Sequence, residues 1–148
     1  MSSELKTDGK FYYQTETHYD QLDGQMLLHH PRYMIFVERA QQLFFESVLN
    51  APRFDWRNFP DMYIVVRKFE IEFLRPIEGV QDIQVVLWPE MVRAAKMKTA
   101  FELRSADGSS VFAKGYRLNC KVDQQTHQPV MWTDSFIDGI QRLIDSAS

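Results

Sequence analysis

The sequence predicts an α+β protein in which one antiparallel sheet wraps around one long central helix. Three observations predict it. Residues 33–49 carry an unusually broad apolar stripe at helical spacing. Several later segments alternate apolar and polar residues with period two. Short turn signals link those segments, and strands joined by short turns pair antiparallel. The composition allows such a core: 148 residues with a hydrophobic fraction of 45% are enough for one packed interior.

The elements follow in order. Residues 1–10 are polar and read as a flexible N-terminal tail ahead of a single domain spanning 11–148. The tail has no apolar core of the signal-peptide kind, and no stretch approaches the ~18 apolar residues of a membrane span. A cytoplasmic protein without a membrane span is expected. The one cysteine, Cys120, excludes an intrachain disulfide and suits a reducing compartment.

Residues 11–19 are rich in aromatics and threonine and read as a strand. A polar loop follows over 18–25. Pro31 is suited to the first turn of a helix, where its missing N–H costs nothing. Phe36, Ala40, Leu43, Phe44 and Val48 then recur at helical spacing. Ile35, Val37, Phe45 and Leu49 widen that stripe, so the helix should be buried on several sides. Asn50-Ala51-Pro52 ends it.

After an irregular stretch over 51–61, Phe69, Ile71 and Phe73 alternate with Lys68, Glu70 and Glu72 as a half-buried strand. Pro76 and Gly79 mark its end. Residues 83–88 form the next strand. Met97, Thr99, Phe101 and Leu103 alternate with Lys96, Lys98, Glu102 and Arg104 in another. Asp107-Gly108 signals a hairpin, and 111–122 is the returning strand. Phe136, Ile137, Ile140, Leu143 and Ile144 make a last amphipathic helix that Thr133 can cap. An antiparallel sheet has one face to cover, and helix 33–49 is the best candidate to cover it.

Several chemistries are excluded. The formal net charge of -3 gives no basic excess for a nucleic-acid partner. There is no Gly-x-Ser-x-Gly elbow, no Gly-rich phosphate loop and no Gly-x-Gly-x-x-Gly fingerprint. What remains is a cluster just before the long helix: His18, Asp20, Asp23, His29 and His30. A helix N-terminus offers free N–H groups and partial positive charge, which can hold a developing oxyanion. A carboxylate in the adjoining loop can serve as base or nucleophile.

The same residues also have plainer readings. An Asp before a helix is commonly a turn or capping residue, and adjacent histidines are commonly structural. A metal site built from His18, Asp20 and the two histidines lacks a recognised ligand spacing, so neither metal nor cofactor is expected. Cys120 lies within a strand pattern and reads as packed rather than nucleophilic. Trp56, Phe59 and Met62 read equally as core or as lining of an acyl pocket. Arg93, Lys96 and Lys98 form a short basic run, and such charges usually lie solvated on a strand face.

The stretch His18-Tyr19-Asp20-Gln21-Leu22-Asp23-Gly24-Gln25-Met26-Leu27-Leu28-His29-His30-Pro31-Arg32-Tyr33, followed by Phe36 and Glu38-Arg39-Ala40, resembles the 4-hydroxybenzoyl-CoA thioesterase family. The segment Phe69-Glu70-Ile71-Glu72-Phe73-Leu74-Arg75-Pro76 is similar to that family's second strand. The stretch 120–129, with Val122-Asp123 and Pro129, is similar to its C-terminal end. The resemblance covers roughly Tyr12 to Leu143 and rests on the order and spacing of all three segments.

The resemblance implies a hot-dog fold and hydrolysis of an acyl-CoA or acyl-carrier thioester. It implies Asp23 as the catalytic carboxylate, seven residues ahead of His30, whose backbone N–H would polarise the carbonyl. Tyr33 is expected among the substrate contacts, and Arg93, Lys96 and Lys98 are expected on the CoA phosphates. A homodimer or homotetramer is expected too, because an open sheet leaves edge strands to cover. The family often has Asp at the position of Gln21, Gly at that of Met26 and a small polar residue at that of Arg32. A loop that loses a glycine changes shape unless Gly24 takes over the turn. A hydroxyacyl-thioester dehydratase and a non-catalytic acyl-thioester-binding protein are the alternative functions.

Overall fold

A computed structural model describes residues 2–51, 53 and 57–147 of the chain. Pro52 and Trp56 lie outside the described residues. The strands are β1 (Ser2–Leu5), β2 (Phe11–Glu16), β3 (Ile64–Phe73), β4 (Asp82–Arg93), β5 (Lys96–Ser105) and β6 (Val111–Lys121). The helices are α1 (Arg32–Val48) and α2 (Asp134–Ala147). All six strands join one antiparallel sheet in the order β1-β2-β4-β5-β6-β3.

The helix expected over 33–49 is α1, and it lies against the sheet as expected. Phe36, Val37, Ala40, Phe44 and Phe45 are buried on it and join Tyr13, Val85, Leu87, Met97 and Leu103 of the strands in one core. Its close backbone approaches are to β4, β2 and β1. Burial is nonetheless one-sided within the chain: Met34 and Ile35 remain 38% and 37% exposed. Pro31 sits at the N-cap, with φ -65°, rather than inside the first turn. Asn50, at φ 52°, takes the left-handed conformation that ends the helix, and the Ala51 N–H returns to the Glu46 carbonyl. Thr133 caps α2 through a hydrogen bond from the Phe136 N–H to its Oγ1.

Residues 1–10, expected as a flexible tail, are instead structured where described. Ser2–Leu5 form β1, paired with β2 from Ser2↔Gln14 to Leu5↔Phe11. Asp8 Oδ1 accepts the Lys10 N–H and Asp8 Oδ2 accepts the Tyr12 hydroxyl, which pins the turn. Gly9 has φ 77°, and a Cβ there would lie 2.4 Å from the Leu143 carbonyl oxygen of α2. The segment is polar because it is an exposed edge strand, and polarity alone does not make a tail. The Asp8-Gly9 pair carries the same hairpin signal as Asp107-Gly108.

The two sheet edges differ. β1 is four residues long and polar. β3 is ten residues long and exposes Val65, Val66 and Phe73 at 38%, 43% and 49%. A bulge at Arg67 interrupts the pairing of β3 with β6.

Candidate functional site

The loop ahead of α1 is held at several points. The Leu28 N–H donates to the Ile77 carbonyl, and the His29 N–H to the Gln21 carbonyl. Gln21 is buried, and its Oε1 accepts the His18 N–H. Within the loop, the Asp23 N–H donates to the Leu27 carbonyl and the Met26 N–H to the Asp23 carbonyl. The left-handed residue of this turn is Met26, at φ 63°; Gly24 does not have a positive φ. The expected transfer of the turn to Gly24 therefore does not occur. The loop keeps a left-handed residue at the glycine position and bears the strain in a methionine, a conformation costing an L-residue roughly 1–2 kcal/mol.

Asp23 fills its plain role as a turn residue through one oxygen. Oδ1 accepts the Gln25 N–H at 2.8 Å and the Leu27 N–H at 3.1 Å. Oδ2 has no hydrogen-bond partner among the described residues. The carboxylate is thus oriented by one oxygen and open at the other. Asp23 shares an open cleft of about 290 Å³ with His30, Tyr33, Phe73, Leu74 and Arg75. The His30 N–H donates to no acceptor among the described residues, while the Arg32 and Tyr33 N–H groups return to the His29 and His30 carbonyls.

Aromatic rings build the wall of this cleft. Tyr33 and Phe73 meet edge to face with centroids 5.0 Å apart. His30 meets Phe73 at 6.4 Å and His29 at 5.1 Å. Tyr33 is only 3% exposed, and burial pushes its phenol pKa up, with a backbone hydrogen bond at Ile77 acting in the opposite direction. Phe73 was legible as the last apolar position of its strand, but its exposure beside Asp23 follows from the tertiary arrangement. A carboxylate, a free helix-start N–H and an apolar wall together can hold a planar carbonyl and attack it.

The expected site residues therefore fall into two groups. Asp23, His30 and Tyr33 come together at one cleft. Arg93, Lys96 and Lys98 do not join them. Arg93 pairs with Lys96 at the β4–β5 turn, and Lys96 pairs with Cys120 of β6. Cys120 pairs in turn with Val65 at the start of β3, whereas Phe73 is its last residue. Eight strand residues separate the two ends, about 26 Å. Lys98 stands 3.9 Å from Glu90 and over the Tyr116 ring at 4.4 Å.

Met62 is buried in the core and Phe59 packs against it. Cys120 is buried and free. Among the described residues, no three His, Cys, Asp or Glu side chains come together as a metal-ligand set. Among the same residues, no helix is long and apolar enough to cross a membrane.

Solved structures share this architecture at low identity. A hypothetical protein of Staphylococcus aureus, solved in complex with CoA, superposes with a TM-score of 0.81 at 15% identity, covering 94% of this chain and 86% of that one. The 1,4-dihydroxy-2-naphthoyl-CoA thioesterase of Synechocystis gives 0.73 at 14% identity, covering 89% and 96%. The DHNA-CoA thioesterase of Staphylococcus aureus gives 0.76 at 16% identity, covering 93% and 94%. The shared architecture is the hot-dog fold. No curated protein matches the sequence significantly. Residues 26–112 match the thioesterase superfamily. That span holds α1, β3, β4 and β5, and it begins three residues after Asp23. With more than half its length matched and the sheet-around-helix architecture in place, the chain belongs to the thioesterase superfamily.

Proposed function

We propose that the protein hydrolyses an acyl-CoA thioester, with Asp23 as the catalytic carboxylate and the His30 backbone N–H as an oxyanion donor. One observation carries the reading: Asp23, with a free Oδ2, lines the same cleft as His30 at the start of α1. The carbonyl oxygen sits on the His30 N–H, and negative charge developing there is stabilised by a donor already in place. Pro31 has no N–H, so His30 supplies the nearest donor upstream. Asp23 Oδ2 either attacks the carbonyl carbon or takes a proton from the attacking water. In both routes a C–O bond forms and the C–S bond breaks. The thiol leaves, and water supplies the oxygen and the protons of the free acid and thiol. Tyr33 and Phe73 bound the acyl side of the cleft.

The working form in this reading is a homodimer paired through β3. That edge is long and exposes Val65 and Val66, and Met34 and Ile35 of α1 are uncovered. An unpaired edge of this kind invites a second copy. A two-fold pairing sets the β3 strands antiparallel, so each partner brings its β4–β5 turn toward the Phe73 end. Arg93 and Lys96 then serve the CoA phosphates of the partner's site. The CoA-bound structure from Staphylococcus aureus supports CoA as the ligand class.

The test is a panel of acyl-CoAs with a thiol-detecting reagent. Release of free CoA above the uncatalysed rate supports the proposal. Hydration or dehydration without thiol release would assign a dehydratase, and binding without turnover an acyl-thioester-binding protein.

A further inference from the structure

Two buried polar side-chain atoms have no hydrogen-bond partner among the described residues: Thr99 Oγ1 and Arg117 Nε. They belong to one place. Thr99 and Arg117 pair directly across β5 and β6, and both are nearly inaccessible, at 2% and 3% exposure. Residues paired this way bring their Cβ atoms to roughly 4.5–5.5 Å. Buried polar atoms are nearly always satisfied, so two orphans side by side point to a missing partner.

The neighbours are polar as well. Arg117 Nη1 donates to Gln41 Oε1, and Gln41 Nε2 donates to Asn119 Oδ1 at 2.7 Å. Arg117 Nη2 reaches Glu38 Oε2 at 3.4 Å. That pair is unequal: the Arg117 side chain is 4% exposed and the Glu38 side chain 66%. Burial lowers the pKa of the guanidinium, and Glu38 offsets this only in part. A buried cation thus holds one distant, solvated carboxylate. The guanidinium fork is shaped for a close bidentate one.

A cavity of about 190 Å³ opens beside Arg117, between Gln41 and Phe45 of α1, Ile64 and Val66 of β3, and Asn119 of β6; Thr99 does not line it. The cavity shares no lining residue with the Asp23 cleft, but both openings lie between α1 and β3. That cleft lies between Tyr33 and Phe73, and the cavity lies between Gln41 and Ile64. Along α1 the step from Tyr33 to Gln41 is about 12 Å.

We propose that this cluster receives the far end of the acyl group, and that the end it fits is a carboxylate. The preferred substrate class is then an ω-carboxyacyl thioester. The incoming carboxylate takes the Arg117 fork in place of Glu38. Gln41 and Asn119 hold the guanidinium in position. The naming of a thioester rests on the proposed hydrolysis; the carboxylate site does not.

Two measurements separate these claims. The first compares kcat/KM for dicarboxylic acyl-CoAs, from glutaryl to sebacoyl, with that for straight-chain acyl-CoAs of equal carbon number. The native protein should favour the carboxylated member by about tenfold or more at the best length, as a charge-assisted pair supplies. In Arg117→Gln that ratio should fall to about one. The second measures binding of free suberate and of uncharged 1,8-octanediol by calorimetry, which needs no turnover. Suberate should bind more tightly, and Glu38→Gln, which removes the competing carboxylate, should tighten it further. This variant also covers the case in which Arg117→Gln does not fold.

Hydrolysis without preference for the carboxylated member, together with equal binding of suberate and 1,8-octanediol, would overturn the carboxylate site and leave the thioesterase reading standing. Suberate binding without hydrolysis of any acyl-CoA would do the reverse. Unchanged or weaker suberate binding in Glu38→Gln would also overturn the site.

Discussion

Gly115→Ala should be among the most damaging single-methyl additions available in this sheet. Gly115 lies in β6, paired with Ile71 of β3 on one side and Phe101 of β5 on the other. A Cβ there would come within 1.8 Å of the Glu70 carbonyl oxygen and 2.9 Å of the Phe101 ring. The first contact is with backbone, which cannot swing aside as a side-chain tip can. β3 must move away from β6 to admit the methyl group. Ordinary overpacking costs about 1–3 kcal/mol, and a backbone clash on this scale should reach the top of that range or exceed it. For a domain of this size, about 3 kcal/mol lowers Tm by roughly 6–12 °C. Gly24→Ala is the control: nothing lies within 4 Å of its Cβ. Thermal and urea unfolding of both variants, at one fixed protein concentration, tests the argument. A Gly115→Ala protein within about 0.5 kcal/mol of the native one would refute it, since that is the scatter of neutral surface changes.

Other outcomes follow from the same structure. Asp61→Ala should cost about 3–5 kcal/mol in urea unfolding, because it leaves Lys121 buried without its carboxylate; the pair is 3.0 Å apart with both side chains 8% exposed, and Asp61 also accepts from Thr133. Asp107 should titrate at about 2 in carboxyl-carbon NMR, held low first by the Ser109 N–H and then by the Ser109 and Ser105 hydroxyls. Its folded pKa is depressed, so its contribution to stability is present above its ordinary value of 3.8 and is lost as pH falls toward 2; Asp107→Asn should remove that acid-side dependence. Val65→Lys with Val66→Lys should give a monomer by light scattering at micromolar protein. In the proposed dimer, Arg93→Ala with Lys96→Ala should raise KM for acyl-CoA and leave kcat nearly unchanged.

Much of the fold was legible because its period is strong. The stripe of α1 and the alternation in β5 need no tertiary information, and Thr133 marks the start of α2. β1 was missed because four exposed edge residues leave no apolar alternation, although Asp8-Gly9 marked its turn. Asp23 and His30 were legible as a carboxylate ahead of a helix start, and the resemblance sharpened that into a pair. The left-handed Met26 could not be read, since no residue type announces a strained φ. The basic run looked like a neighbour of the site because sequence gives no distance. Only the pairing of Lys96 with Cys120 and of Phe73 with Ala113 puts the two at opposite ends of the sheet. The Thr99–Arg117–Gln41 cluster joins residues far apart in the chain; Thr99 was legible on the inward face of its strand, but Arg117 and Gln41 each read alone as ordinary surface polar residues.

The central claim is tested most directly by the turnover of Asp23→Asn on the best acyl-CoA of the panel. Asparagine keeps an Oδ1 to accept the Gln25 and Leu27 N–H groups, so the loop should hold its shape while the charge is lost. With native circular dichroism and unchanged Tm, kcat should fall by about a hundredfold or more, as for loss of a base or nucleophile. His30→Ala should cost far less, because its backbone N–H remains. A folded Asp23→Asn protein with native turnover, beside an inactive His30→Ala protein, would contradict the account and move the base to the histidine.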